Sequence, residues 1–205
     1  MPKTKTQLEK IKAERKEKII LAGLKVFCEK GFEGAKVEDI VARAGCSHGL
    51  FYHYFKNKRE IFDEIVKRSG GSSLSAMKFY LTDETQSYAQ RLKNLLVYNF
   101  DTMYSDQNFS YYFYFFVSRW FLKANADGGN VTMQQRPLPK ILYEFFKNAQ
   151  ESGEFSAEHS PEECCALLHC IIQGSSLNTV LVTSPKKNLP PPNIDLIVDI
   201  FRKKP

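Results

Sequence analysis

Hydrophobic positions recur at helical spacing along most of the chain. Ile19, Ala22, Leu24, Val26 and Phe27 predict a helix that begins in the charged segment "EKIKAERKEK" and stops at Gly31, a suitable residue just past a helix end. Val37, Ile40 and Val41 share one face of a short helix over 37–44, ended by Gly45. Ser47 is a good N-cap for a third helix through Phe55, and Asn57 for a fourth through Arg68. "SGGSS" at 69–73 is the clearest break in composition. Longer helices are expected beyond it, over 84–105, 108–124, 137–152, 161–183 and 193–203. Pro137 and Pro161 suit first turns, Gly153 suits a helix end, and "TSPKKNLPPPN" reads as a stiff connector. With no strand alternation and no internal repeat, the expectation is an all-α chain. A small N-terminal unit (1–68) precedes a larger helical body (69–205).

Charge sharpens that division. Residues 1–68 carry sixteen Lys and Arg against ten Asp and Glu, whereas residues 69–205 carry thirteen of each. The whole net charge of +6 therefore sits in the first third, as expected for an end that meets a polyanion. The longest apolar run, "YYFYFFV", is too short to span a bilayer, and the lysine-rich start lacks the apolar core of a signal peptide. A cytoplasmic protein with no membrane partner is expected. Cys28, Cys46, Cys164, Cys165 and Cys170 are odd in number and lack disulfide-framework spacing, so free thiols are the default.

The stretch "SHGLFYHYFKNKRE" (47–60) combines rings, imidazoles and lysines in a way that neither a core nor a solvent loop explains. Two short helices joined by "AGCS" form a helix-turn-helix, whose second helix lies in a DNA major groove. Phe51 and Phe55, four apart, face the core of that unit, which turns His48, Gly49, Tyr52 and His53 outward together. Gly49 lets a duplex approach closely, while Tyr and His donors reach phosphates. Lys58, at the start of the next helix, adds an ammonium group for a phosphate. Lys3, Lys5, Lys10 and Lys12 form a basic arm with two readings, a groove-tracking segment or solvated charge.

Residues 31–66, "GFEGAKVEDIVARAGCSHGLFYHYFKNKREIFDEIV", resemble the DNA-binding domain of the tetracycline-repressor (TetR/AcrR) family of bacterial transcription regulators. The matching skeleton is Gly31-Phe32, Val37, Asp39-Ile40, Ala44-Gly45, Ser47, Gly49, Tyr52, Phe55 and Lys58. The chain departs from the family before the second helix, where Ala35 and Lys36 replace the usual Thr or Ser. Lys36 would then offer a plain charge to a phosphate. Leu50 stands where the family often has Thr; it can pack on a thymine methyl but cannot hydrogen-bond a base edge. The resemblance implies a larger domain that dimerises and holds a small molecule whose binding repositions the two DNA-reading heads. It further implies a near-palindromic operator on double-stranded DNA and a repressor released by its effector.

A homodimer would form through helices 161–183 and 193–203, with Gly174, Ser175 and Ser176 permitting close approach. Leu167, Leu168, Ile171 and Ile172 would supply apolar surface. Candidate effector contacts are Asn99, a polar break in the stripe Tyr88, Leu92, Leu95, Leu96 and Met103, together with Phe113, Phe116, Arg119, Trp120 and His169. Each has a plainer reading: an internal hydrogen bond for Asn99, core packing for the rings, a salt bridge to Asp101 for Arg119. The many rings favour a hydrophobic or aromatic effector. Glu162, Cys165 and His169 share a helical face that permits a metal- or thiol-responsive alternative, although a zinc site needs further ligands. A helical adaptor for an acidic partner is the other alternative. No catalytic constellation is apparent, so no enzyme and no cofactor are expected.

Overall fold

A computed structural model describes residues 4–115, 137–181 and 190–203. The chain divides into two compact units, Met1–Ser69 and Gly70–Pro205. The described residues contain helices and one isolated bridge, and no extended sheet.

In the first unit, α1 (Lys5–Gly34) opens with a capping box in which Thr4 and Gln7 exchange side-chain and backbone bonds. The basic arm is therefore helical from Lys5 onward; Lys3 lies outside the described residues. Gly31 adopts φ 67° and ψ 175°, so the helical path breaks where the sequence places its end, and one more turn follows to Gly34. α2 (Val37–Ala44) and α3 (His48–Tyr54) follow. α4 (Lys58–Leu81) is led by Asn57, whose side chain accepts the Glu60 N–H at 3.0 Å. The expected stop at Arg68 does not occur. "SGGSS" is helical, and the division between units falls inside α4. Two glycines cost about 1 kcal/mol each in a helix, too little to end one that packing supports.

The core of this unit comes from all four helices. Ile19, Ile20 and Leu24 of α1, Ile40 of α2, Phe51 of α3, and Ile61 and Ile65 of α4 are essentially inaccessible. Phe27 meets the Phe62 ring edge-on at 5.2 Å, and Phe32 lies 4.6 Å from Phe62. Ion pairs on the rim fix how α2 lies on α1. Arg43 grips Glu29 with two bonds of 2.6 and 2.7 Å, and Lys30 reaches Asp39 at 2.7 Å. Asp39 also accepts the Lys36 N–H at 3.0 Å, supplying from inside the helix part of the cap that the lysine side chain cannot make. Arg68 joins Glu17 of α1 to Glu64 of its own helix.

Lys58 departs from its expected role as an open phosphate donor. Its ammonium group donates to the Phe32 and Ala35 carbonyls at 2.6 and 2.9 Å and lies 4.4 Å from the Phe32 ring centroid. The chain between α1 and α2 leaves these carbonyls outside any helix ladder, and a lysine on the first turn of α4 satisfies both. Two of its three donors are thus occupied within the protein.

The second unit is built from α5 (Tyr88–Ser105), α6 (107–115 among the described residues), α7 (Pro137–Glu151), α8 (Pro161–Leu181) and α9 (Ile194–Phe201). α5 starts four residues later than expected because Asp83 folds the chain before it. Its carboxylate binds the Thr85 backbone and hydroxyl and the Gln86 amide. Leu92, Leu95, Leu96 and Phe100 of α5 pack with Phe146 and Ala149 of α7, Leu168 of α8 and Ile197 of α9. Phe146, Phe155 and Phe201 form an aromatic centre with separations of 4.9–6.3 Å. Leu168 and Ile172, expected on the outer face of α8, are buried in this core, as are Ser175 and Ser176. The face left outside is rotated from that expectation: Leu167, Cys170, Gly174 and Leu177.

Two predictions follow from the first unit. Lys58→Met leaves two carbonyls without their donor and is expected to destabilise the chain by about 1–3 kcal/mol, measured by urea unfolding. Lys56→Ala, on an exposed side chain, should stay within about 0.5 kcal/mol of the parent. Asp39 is held below its ordinary value of 3.8, chiefly by the Lys30 bond and then by the Lys36 N–H. Its contribution is therefore present above 3.8 and lost as pH falls through the lower folded value. The stability difference between parent and Asp39→Asn should shrink toward zero as unfolding is followed from about pH 6 into that acid range.

Candidate nucleic-acid interface

The turn between α2 and α3 consists of Gly45, Cys46 and Ser47. Gly45 sits in the left-handed region at φ 58°, its N–H bonded to the Ala42 carbonyl at 3.2 Å, and the Cys46 N–H reaches the Val41 carbonyl at 3.2 Å. A side chain at Gly45 would be strained by that backbone. Ser47 then caps α3, its hydroxyl accepting the Leu50 N–H at 3.2 Å. These bonds fix the angle at which α3 leaves α2.

Two rings fix its rotation. Phe51 is 0% and Phe55 3% exposed, whereas Tyr52 is 55% exposed. Ser47, His48, Gly49 and His53 are exposed with Tyr52, and Leu50 is half-buried. The expected outward set therefore shares one surface. Tyr52 stands edge-on to Phe51 at 5.3 Å and His53 edge-on to Tyr54 at 4.9 Å, so both polar rings rest against aromatic neighbours. A Cβ built on Gly49 finds only the Ser47 hydroxyl, 3.9 Å away, so the smallness of this residue is not required by the fold.

The structure separates the remaining expected residues from this helix. Lys36 is exposed at the N-terminus of α2, beside the turn that Lys58 clamps. A basic residue that the sequence does not single out is Lys18 of α1. Its ammonium group lies 3.8 Å from where a Gly45 Cβ would be, next to the α2–α3 turn. Lys16 places its charge 5.5 Å from the Phe55 ring. No local pattern reveals either position, because α1 meets that turn only through folding. The face can thus offer hydroxyl, imidazole and ammonium donors around an open backbone, which is the chemistry of phosphate contact.

In the second unit Asn99 is 4% and Phe113 7% exposed, and Phe113 stacks on Phe109 at 5.7 Å. Phe116, Arg119 and Trp120 lie outside the described residues. His169 is half-buried, and burial lowers its pKa against the opposing effect of its hydrogen bond to Gln173. A cavity of about 450 Å³ lies elsewhere in this unit, lined among others by Leu81, Tyr88, Arg91, Ile141 and Phe145. The expected effector residues that are described, Asn99, Phe113 and His169, are not part of its lining. Cys165 is pushed up to about 12 by burial, with Cys164 and Glu162 adding to the shift. Its thiolate, needed for metal or redox chemistry, is disfavoured at neutral pH. Among the described residues no three His, Cys, Asp or Glu side chains are placed to hold a metal ion.

Among the described residues no helix is long and apolar enough to cross a membrane. Residues 19–65 match the family described as bacterial regulatory proteins, tetR family. The uncharacterized HTH-type transcriptional regulator YvdT of Bacillus subtilis (strain 168) is 33% identical over 94 residues, 40% of this chain and 48% of that protein. The chain thus spans about half the length of that curated relative. Two solved structures share the fold over nearly the whole chain. One is a SmeT–triclosan complex, with TM-score 0.63, 19% identity and coverage of 93% of this chain and 92% of that one. The other is a gamma-butyrolactone receptor described as ArpA-like, with TM-score 0.59, 17% identity and coverage of 92% and 95%. The helix-turn-helix geometry and the family match together make residues 19–65 a domain of the type found in bacterial regulatory proteins of the tetR family, and the whole chain shares the fold of these two structures.

Proposed function

We propose that this protein is a DNA-binding transcriptional regulator, a repressor that acts as a homodimer and leaves its operator when a small hydrophobic or aromatic molecule binds the second unit. The observation that carries the reading is the rotation of α3: Phe51 and Phe55 inside, with His48, Gly49, Tyr52 and His53 together outside. A duplex backbone meets that face through phosphate contacts from Tyr52, His48, His53 and Ser47, with Leu50 against a base methyl and Gly49 at the point of closest approach. Lys36 and Lys18 add charge at the two ends of α2. Lys58 supports the contact from beneath by holding the Phe32–Lys36 turn, and its third donor remains for a phosphate.

The effector half draws on relatives: one fold neighbour was solved with triclosan and another is named a gamma-butyrolactone receptor. Dimer formation draws on the outer faces of α8 and α9. Leu167, Cys170, Gly174 and Leu177 recur at helical spacing, and Leu196 and Ile200 are 63% and 51% exposed. Gly174 has no atom within 4 Å of a built Cβ, leaving room for a second helix. A two-fold pair would set two α3 helices on successive major grooves, about 34 Å apart on a near-palindrome.

Fluorescence anisotropy with promoter-region fragments tests the DNA reading. Tyr52→Ala should weaken binding about tenfold, equivalent to about 1.4 kcal/mol, with an unchanged melting curve. Gly49→Leu is the sharper test: its side chain enters open space in the free protein, so stability should hold while duplex binding is lost. Unchanged affinity in both variants, or no retention of any fragment, would overturn the reading in favour of an adaptor for an acidic partner. Affinity should also fall steeply between about 50 and 200 mM salt, as about six or more phosphate contacts require. For the assembly, the double variant Leu177→Glu, Leu196→Glu should elute as a monomer in size-exclusion chromatography with light scattering, while the parent elutes as a dimer.

A further inference from the structure

The cavity at the start of α5 contains a buried cation held in no direct ion pair among the described residues, although the Asp83 carboxylate is close enough to feel its charge. Arg91 is 9% exposed and lines the cavity. Its Nε donates to the Gln86 carbonyl at 2.8 Å, and its guanidinium carbon lies 4.6 Å from the Tyr88 ring centroid. Tyr88 is steadied in turn by Phe145, edge-on at 5.6 Å. Among the described residues no carboxylate pairs with Arg91 and no acceptor meets its two terminal nitrogens. Gln86 is anchored to Asp83 at 2.7 Å and to Asn94 at 2.8 Å, so the carbonyl that holds Nε is itself fixed. A guanidinium this buried ordinarily has a partner, because desolvating a charge is costly unless it is paired.

We infer that this cavity binds a small monocarboxylate with an apolar body, its carboxylate taken by the two terminal nitrogens of Arg91. A guanidinium fork matches a carboxylate with two parallel bonds, and the bond already made by Nε leaves the outer pair for the ligand. Leu81, Ile141 and Phe145 supply apolar wall for the body, and about 450 Å³ suits a molecule of metabolite size. Glu84 and Glu144 stand on the lining as exposed carboxylates. With Asp83 nearby they repel any negative charge that Arg91 does not directly offset, so the site selects monoanions over dicarboxylates and phosphates. Arg91 lies eight residues before Asn99 on the same helix, about 12 Å along its axis, so the site is distinct from the expected Asn99 and Phe113 region. This deepens the effector half of the proposed function and rests on it only for the coupling to DNA.

Isothermal titration calorimetry of the full chain without DNA tests the site. The probes are octanoate, 3-phenylpropionate and indole-3-acetate, with 3-phenylpropanamide as the neutral match and phenylsuccinate as the dianion. At least one monocarboxylate should bind, with the amide and the dianion weaker by about tenfold or more. Arg91→Gln should reduce binding by a similar factor. Ile141→Trp, which fills the cavity without touching Arg91, should abolish it, and circular dichroism would verify that both variants fold. Glu144→Gln should narrow the gap between phenylsuccinate and 3-phenylpropionate. Equal binding of acid and amide, binding unaltered in Ile141→Trp, or no heat from any of the three acids at millimolar concentration would overturn the inference, leaving Arg91 as a clasp on Gln86 alone. Adding the bound acid to the protein–DNA titration then separates the two proposals. Binding without release from DNA leaves the site standing and removes it as the effector site.

Discussion

The exposed face of α3 depends on two phenylalanines. α3 is seven residues long, too short to persist in water by itself, and its orientation is decided by what it buries. Phe51 and Phe55 occupy adjacent turns and sink into the α1–α4 core together. Once both are inside, the pitch of the helix leaves no freedom: residues 48, 49, 52 and 53 must emerge on the other side. The same burial that stabilises the unit therefore aims its polar rings. The Gly45 turn and the Ser47 cap control the remaining degree of freedom, the angle between α2 and α3.

Electrostatics around this core supports geometry more than stability. The pairs Arg43–Glu29, Lys30–Asp39 and Arg68–Glu17 all lie at partly exposed side chains, where a single pair is worth no more than about 1 kcal/mol. Their value is positional: each ties α1 to another helix of the unit, so the short segments keep one arrangement against the long helix. Because acidic partners neutralise several of the basic residues, the excess positive charge remains on side chains such as Lys18, Lys36 and Lys56, which are exposed.

Much of this was legible in the sequence, and the misses share causes. Period and cap chemistry located α2, α3 and the starts of the later helices to within a few residues, because Gly45, Ser47, Pro161 and Asn193 act locally; the ends expected at 124 and 183 lie outside the described residues. The outward set on α3 was legible for the same reason, since the spacing of Phe51 and Phe55 decides it. Local punctuation failed at "SGGSS", where two glycines weaken a helix without ending it. Non-local bonds were beyond reach: Lys58 is twenty-six residues from the Phe32 carbonyl it holds, and nothing in its neighbourhood distinguishes a clamp from a free charge. On α8, Leu167 and Gly174 lie outside as expected, whereas Leu168, Ile172, Ser175 and Ser176 turn inward. Apolar side chains ring that helix on every side, and only the packing of α5, α7 and α9 decides which of them the core takes. Arg91 escaped notice because an arginine near a helix start looks like solvated charge until the fold shuts water away from it.

Glu154 lies in the turn after α7 and is a fulcrum for much of the second unit. Its carboxylate accepts the Tyr88 and Ala89 N–H groups at 2.9 and 2.7 Å, its carbonyl accepts the Lys203 N–H at 3.1 Å, and its neighbour Phe155 bridges to Arg202. Segments from near the start and the very end of the unit thus meet at one side chain and its backbone. Tyr88, the ring under Arg91, starts from that anchor. The Arg202–Lys203 segment is therefore mechanically linked, through Glu154, to the floor of a cavity it does not line, and a change made near Arg202 can be felt there.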